Sequence, residues 1–575
     1  MTKYLDGPFA ATFGYLILIC FCLVLFLPGM TTLPPFDRDE ARFAQASRQM
    51  LEDGDYIRIK FQDQDRHKKP VGIYWLQAAS ARLTNPEALW PYRLPSVLGA
   101  VLAVLLTFSL ARRAMDVRFA LAAAALLTCT LLLVTEAHLA KTDAMLLASI
   151  TAMQAALARC YIRPADRQPE PWLWLLFWGG MGGSILLKGP VGPMISGLTL
   201  LTLFIADRRA PETLNHGRFA WLRGLRPKAG LLLTTVMVLP WLIAVSLATD
   251  GSFVSDAVTG DLLPKLISGH ESHGAPPGMY LLLFTLTFWP GSLLAWPALV
   301  QTWSLRKTDR LVRFLWAWIV PSWIVFELVP TKLPHYVLPM YPAIALLIGV
   351  WLATLSHRVA HPGVSSTTAG SPSRFAPWIP KIGAGLWLAI GVVLGIGFIV
   401  APIYLDKAFS WWGVLAALIV LAMTALAWRT YREGHMVRVC GILLLGAVLV
   451  FPVILGKGLP ELRGFWVSRA VLQTVDSLRQ EHPDLSGLIA STGFQEPSMA
   501  FLLGTPTRLV NHLEAANHLL EHPDGLALVE SRQEQRFHEA VGNLGLDVER
   551  LAIIRGFNYS KGQWVTISFY AIVRQ

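Results

Sequence analysis

Runs of about 20 apolar residues recur between positions 11 and 457, each long enough to cross a hydrocarbon core about 30 Å thick as a helix. They predict helices near 11–30, 92–112, 118–135, 143–160, 172–187, 190–207, 229–248, 278–302, 310–328, 335–355, 382–404, 410–428 and 437–457, thirteen crossings in all. Past Leu459 the pattern changes. Apolar runs shorten, charges mix in, and β-leaning stretches at Leu488–Ala490, Leu526–Val529 and Trp564–Ile572 alternate with polar helical ones. The expected architecture is a polytopic α-helical membrane protein. A transmembrane unit at 1–458, with a large first outer loop at 31–90, precedes a small α/β domain at 459–575, which is of ordinary domain size. The stretch 359–380, rich in Pro, Ser, Thr and Gly, reads as an inner linker, and the sequence has no internal repeat.

Composition agrees. The 575 residues are 54% hydrophobic and only 15% charged, where a soluble globule carries about 25% charged residues. The net charge of +11 invites a nucleic-acid reading, but its distribution argues against one. Basic residues fill alternate connections: Arg112, Arg113 and Arg118; Arg159, Arg163 and Arg167; Arg208 to Lys228; Arg306 to Arg313; Arg358 to Lys381; Arg429 to Arg438. Skipping every other loop is the signature of cytoplasmic connections. The amino terminus is then inside, the carboxyl terminus outside, and the first span is a retained helix. Cys20, Cys22, Cys129, Cys160 and Cys440 lie in or beside apolar spans, which argues against a disulfide framework or a cysteine metal site.

The chemistry gathers in the loops assigned to the outside, at 31–90, 136–142, 249–277 and 329–336. The run Phe36-Asp37-Arg38-Asp39-Glu40-Ala41-Arg42-Phe43 opens a helix expected over Glu40–Leu51, lying along the interface with Phe43, Ala46, Met50 and Leu51 on its apolar side. Acids at a helix N-terminus are stabilised by its dipole whatever their use, but acids concentrated at a membrane face are functional suspects. One of them could serve as general base to an acceptor hydroxyl. Asp65-Arg66-His67-Lys68-Lys69-Pro70 and then Tyr74-Trp75 follow. Basic anchors favour the inside, so cations on this side suit a phosphate better. Asp143 opens the fourth span beside Lys141, as a helix cap or a second acid. Lys188-Gly189-Pro190 and Lys332-Leu333-Pro334-His335-Tyr336 add lysines beside prolines in further outer segments. His270, Glu271 and His273 offer ligand atoms for a divalent cation, yet with no fixed partner a polar loop is the preferred reading. No glycine-rich phosphate loop follows a strand, which disfavours a nucleotide donor.

Taken as a set, Asp-Glu-x-Arg-Phe-Ala-Gln from Asp39, Lys-Pro-x-x-x-Tyr-Trp from Lys69 and Lys-Leu-Pro-His-Tyr from Lys332 resemble a known group. It is the bacterial lipid A aminoarabinose transferases, akin to protein O-mannosyltransferases. The resemblance implies a GT-C-type glycosyltransferase of the bacterial inner membrane, its site facing the periplasm. The donor would be a polyprenyl-phosphate-linked monosaccharide, and the acceptor lipid A or another envelope molecule. Asp39 matches the proposed catalytic aspartate, with Asp143 the second acid and Glu40 beside the first. Lys69 and Tyr336 match residues at the donor phosphate, where Arg66 and Lys332 would add charge. Two departures stand out: Phe43 replaces a frequent Tyr, and Lys68 stands where relatives commonly have Glu, a metal ligand. Lys68 weakens the case for a divalent metal and could supply part of its charge, so cofactor and sugar identity both stay open. A flippase of lipid-linked sugars is the rival reading. It would place its charges near the membrane midplane, often at broken helices in repeated halves. A transferase acting on protein hydroxyls is the other alternative.

Overall fold

All thirteen apolar stretches are helical in a computed structural model that describes residues 8–163, 168–208, 220–262, 264, 274–360 and 377–573. Their lengths do not bear out thirteen separate full-length crossings. Among the described residues nine helices are long and apolar enough to span a membrane, or ten if Val117–Thr128 and Leu131–Ala137, bent by 63°, form one span. Ala11–Phe26 and Leu173–Lys188 are apolar but shorter. The stretch expected at 278–302 divides into Met279–Thr287 and Ser292–Thr302. Most of the expected linker, and His270, Glu271 and His273, fall outside the described residues.

Two glycines set how closely the helices approach the future site. A Cβ on Gly99 would lie 2.7 Å from the backbone of Ala144, so Trp90–Ala111 can press directly on the first turn of Asp143–Ile162. A Cβ on Gly72 would lie 2.7 Å from the Leu186 carbonyl, which lets Gly72–Leu83 start against the end of Leu173–Lys188. Small residues permit such backbone contact between apolar helices.

The 31–90 loop is a folded unit. It holds the helices Asp39–Asp53 and Gly72–Leu83 and a short antiparallel hairpin of β1 (Lys60–Phe61) and β2 (Gln64–Asp65). The helix expected over Glu40–Leu51 exists, but protein covers its apolar side: Phe43, Ala46 and Met50 are buried, and it packs on Gly72–Leu83 and Pro497–Leu503. The hydrophobic face that suggested a lipid surface answers a protein one.

Beyond Gly458 the chain builds a five-stranded sheet of β3 (Ile489–Thr492), β4 (Arg508–Leu509), β5 (Leu526–Glu530), β6 (Val548–Asn558) and β7 (Gln563–Ile572) in the order β4-β3-β5-β7-β6. β3 runs parallel to β4 and β5, while β5–β7 and β6–β7 are antiparallel. Every residue of β3 and β5 is buried, as expected of central strands covered on both faces.

Candidate active site

The acidic turn is shaped first by a buried ion pair. Arg93, at the start of Trp90–Ala111, donates from Nε to Glu40 Oε1 at 2.8 Å and from Nη2 to Oε2 at 3.0 Å. Its remaining donors reach the carbonyls of Met30, Leu33 and Pro34. Glu40 also accepts the backbone N–H groups of Phe36 and Ala140, each at 2.8 Å. At 1% exposure, with both oxygens engaged, Glu40 has no face left for a substrate. The acid expected to do chemistry instead ties the first loop to the 139–142 connection, and Arg93, which no motif singled out, is its counterpart.

Asp39 differs. It is half-buried and makes no hydrogen bond or ion pair among the described residues. Its charge is felt at two buried groups, Tyr74 and Lys141. Tyr74 accepts from Arg66 Nε at 3.2 Å, and the Arg66 guanidinium lies 5.3 Å from the centre of the Phe43 ring. The ring that lacks a hydroxyl is thus the platform on which an arginine rests.

A second group lies beyond Lys141. Ser96 holds the 139–142 turn by donating to the carbonyls of Leu139 at 2.6 Å and Lys141 at 3.2 Å. Lys141 Nζ pairs with Glu136 at 3.1 Å and approaches Asp143 at 3.8 Å. Lys188, the last residue of its helix, bonds Asp143 Oδ1 at 2.5 Å. The His335 ring lies between the two acids, 3.6 Å from Glu136 and 3.7 Å from Asp143. Burial alone would make Lys141 easier to deprotonate, but Glu136, then Asp143 and Asp39, outweigh it and hold the ammonium well above its usual range. Lys69 is near enough that its charge adds to those of Lys141 and Lys188 at His335. The Tyr336 ring centre is 5.1 Å from the Lys188 ammonium.

Asp39, Asp143, Lys69, Arg66 and Tyr336 therefore border one region at the ends of the helices. Lys332 turns away: its ammonium donates to the carbonyls of Glu327 at 2.9 Å and Val329 at 2.6 Å, capping the helix Arg310–Leu328. Sequence reasoning passed over Glu136, whose signal was a lone acid inside the run Leu131-Leu132-Leu133-Val134-Thr135-Glu136-Ala137.

The ligand atoms of Glu136, Asp143 and His335 lie within 4.8 Å of one another, a donor set that would suit a divalent cation. The surroundings do not suit one. Two ammonium groups already neutralise the two carboxylates, so a divalent ion would have to displace Lys141 and Lys188 or face their repulsion. Lys68, where the resemblance implied a metal ligand, is an exposed cation.

Residues 68–244 match the family described as dolichyl-phosphate-mannose-protein mannosyltransferase. The undecaprenyl phosphate-alpha-4-amino-4-deoxy-L-arabinose arabinosyl transferase of Pectobacterium carotovorum is 28% identical over 424 residues, covering 70% of this chain and 72% of the relative. The protein of the same name from Pseudomonas aeruginosa strain UCBPP-PA14 is 29% identical over 335 residues, 58% of each chain. Among solved structures, ArnT from Cupriavidus metallidurans bound to undecaprenyl phosphate superposes with a TM-score of 0.70 at 18% identity, covering 96% of this chain and 97% of that one. In sequence this chain is similar to the bacterial undecaprenyl phosphate-alpha-4-amino-4-deoxy-L-arabinose arabinosyl transferases, and it shares the fold of a solved one.

Proposed function

We propose that the chain is a membrane glycosyltransferase that moves one monosaccharide from a polyprenyl phosphate to a lipid A-like envelope acceptor. It works at the periplasmic face of the bacterial inner membrane, with residues 459–573 on that side. One observation carries the reading: a half-buried Asp39 without a partner among the described residues shares one region with the half-buried cations Arg66 and Lys69. Such a surface is matched to a leaving group that becomes more negative.

The acceptor oxygen supplies the electron pair for the new bond to the anomeric carbon. The old bond breaks towards the phosphate oxygen, which departs as polyprenyl phosphate. Lys69 and Arg66 stabilise the charge that develops there, the task for which preorganised donors serve best, while Lys141 and Lys188 stay paired with Glu136 and Asp143. Asp39 receives the acceptor proton when the acceptor is a hydroxyl, and orients the acceptor when it is an already ionised phosphate. Asp143, held by Lys188, Lys141 and His335, positions those cations rather than exchanging a proton. The gathering of charge at helix ends, with no repeat in the chain, favours a transferase over a flippase.

Purified protein given lipid-phosphate sugars and candidate acceptors in detergent should release polyprenyl phosphate, which a transporter without compartments cannot do. Failure with every donor and acceptor would remove the reading. For orientation, alkaline phosphatase fused after Leu459 should be active and fused near Arg310 inactive.

A further inference from the structure

The segment just ahead of Asp39 is gripped by the distant C-terminal domain. The Asp37 N–H donates to the Tyr559 hydroxyl at 2.6 Å, although 522 residues separate them in sequence. Ser498 Oγ donates to Asp37 Oδ1, and Arg38 Nη2 donates to the Ser560 carbonyl at 2.6 Å. Behind these contacts, Glu496 accepts from Asn558 Nδ2 at 3.1 Å and from Ser560 Oγ, which fixes the turn that presents Tyr559 and Ser560. Aromatic rings close the joint: Tyr559 stacks on Phe465 with centres 4.2 Å apart, and Phe36 meets Trp466 edge-on at 5.0 Å. The same domain also holds the helix that Asp39 begins, through Gln45 to Thr505 at 2.7 Å and Arg48 to the Phe501 carbonyl at 3.2 Å.

Arg38, the residue before Asp39, has φ +65° and ψ −102°. That conformation is costly for a side chain with a Cβ and persists only where the surroundings impose it. Here they do so from both sides. Glu40 is fixed from below by Arg93, while Asp37 and Arg38 are fixed from above by Tyr559, Ser498 and Ser560. Asp39, with no bond of its own among the described residues, takes its direction from a backbone stretched between two anchors.

We propose that the C-terminal domain completes the active site, with Tyr559, Ser498 and Ser560 as positioning residues that aim Asp39. The inference rests on the transferase reading above, in which Asp39 meets the acceptor. It explains why a domain that brings none of the clustered cations is folded against the acidic turn.

Tyr559→Phe tests it, because the ring stack stays and only the hydroxyl leaves. In full-length protein, amide hydrogen exchange over residues 36–43 should quicken in the variant, while exchange in β3 and β5 stays as in wild type. Turnover should fall about 10-fold or more with the donor KM unchanged, since a misplaced catalytic group loses rate rather than donor binding. Ser498→Ala should act in the same direction, and Ser498→Thr, which restores a hydroxyl, should recover part of the loss. Unchanged exchange at 36–43 would overturn the grip. Faster exchange with normal turnover would overturn the positioning role. If wild-type protein releases no polyprenyl phosphate at all, the transferase reading falls and the positioning role with it, while the exchange data still decide the grip.

Discussion

The acidic turn at 36–40 and the cluster around Asp143 meet at Ala140, yet they are built in opposite ways. The cluster is made of formal charges on neighbouring helix ends, with Lys141, Lys188, Glu136, Asp143 and His335 compensating one another at close range. The turn relies on one buried ion pair below and on mostly uncharged hydrogen bonds from a distant domain above. Charges that cancel inside a cluster fix where a compensated surface sits and leave it little freedom. A backbone held by tyrosine and serine can leave one carboxylate uncommitted. In the proposed mechanism, that contrast is the reason Asp39, and neither Glu40 nor Asp143, meets the acceptor.

The sharpest way to break the comparison is Asp39→Asn. Turnover should drop by about 10²–10⁴-fold while expression and membrane insertion stay near normal, because only a proton-handling group is lost. Retention of activity within a few-fold would mean that the uncommitted carboxylate is not the working one. Next comes Arg93→Ala, which leaves Glu40 buried without its partner. Removing one side of a buried pair costs about 3–5 kcal/mol, so thermal unfolding in detergent should begin well below wild type. An unfolding midpoint like that of wild type would show that Glu40 is less committed than its bonds indicate.

A smaller effect is expected at Lys69. Lys69→Ala should weaken donor use by about 1.5–3 kcal/mol, the range for a hydrogen bond to a charged group. Lys69→Arg should recover only part, because the planar fork and the compact ammonium differ in shape. A donor KM and kcat that ignore Lys69→Ala would separate this lysine from the phosphate.

The smallest effect concerns pH. Burial, and then the nearby Glu496, push Asp37 up to about 7 against the opposing pull of Ser498, Tyr559 and Arg38. The folded state therefore holds this proton more tightly than the unfolded chain, whose aspartate titrates near 4. Its contribution is fully present below about pH 4 and is lost as the pH rises towards 7. Exchange at the 36–43 amides, corrected for intrinsic pH dependence, should accelerate over that window in wild type. Asp37→Asn should flatten the response, and an identical profile in the two proteins would remove Asp37 as its source.

Much of this was legible in the sequence, and the gaps have physical causes. Long apolar runs located all thirteen helical stretches, but run length does not reveal bends or breaks, as at Thr128–Leu131 and within 288–291. β5 and β7 announced themselves by apolar content, whereas β6 hid because Glu549, Arg550 and Arg555 interrupt it and most of its residues are exposed or only partly buried. Asp143, Lys188 and His335 could each be suspected beside a proline or a helix start, since local spacing carried the signal. Arg93, Tyr559 and Ser498 could not. Their importance lies in partners 53, 522 and 461 residues away, and pairing at such distances leaves no mark on local composition.

The span between Asp37 and Tyr559 also has a consequence for biosynthesis. During vectorial synthesis the acidic turn leaves the ribosome among the first elements, and Arg93 and Ala140 can secure its lower side early. Its upper side waits until residues 558–560 have been made and the last strands have paired. A nascent chain anchored in the bilayer with every helix inserted would still hold Asp39 on a half-tethered turn. If the C-terminal domain aims Asp39 as proposed, activity waits until Tyr559 has been made, so that a chain stalled or clipped short of it is a membrane protein without a finished catalyst.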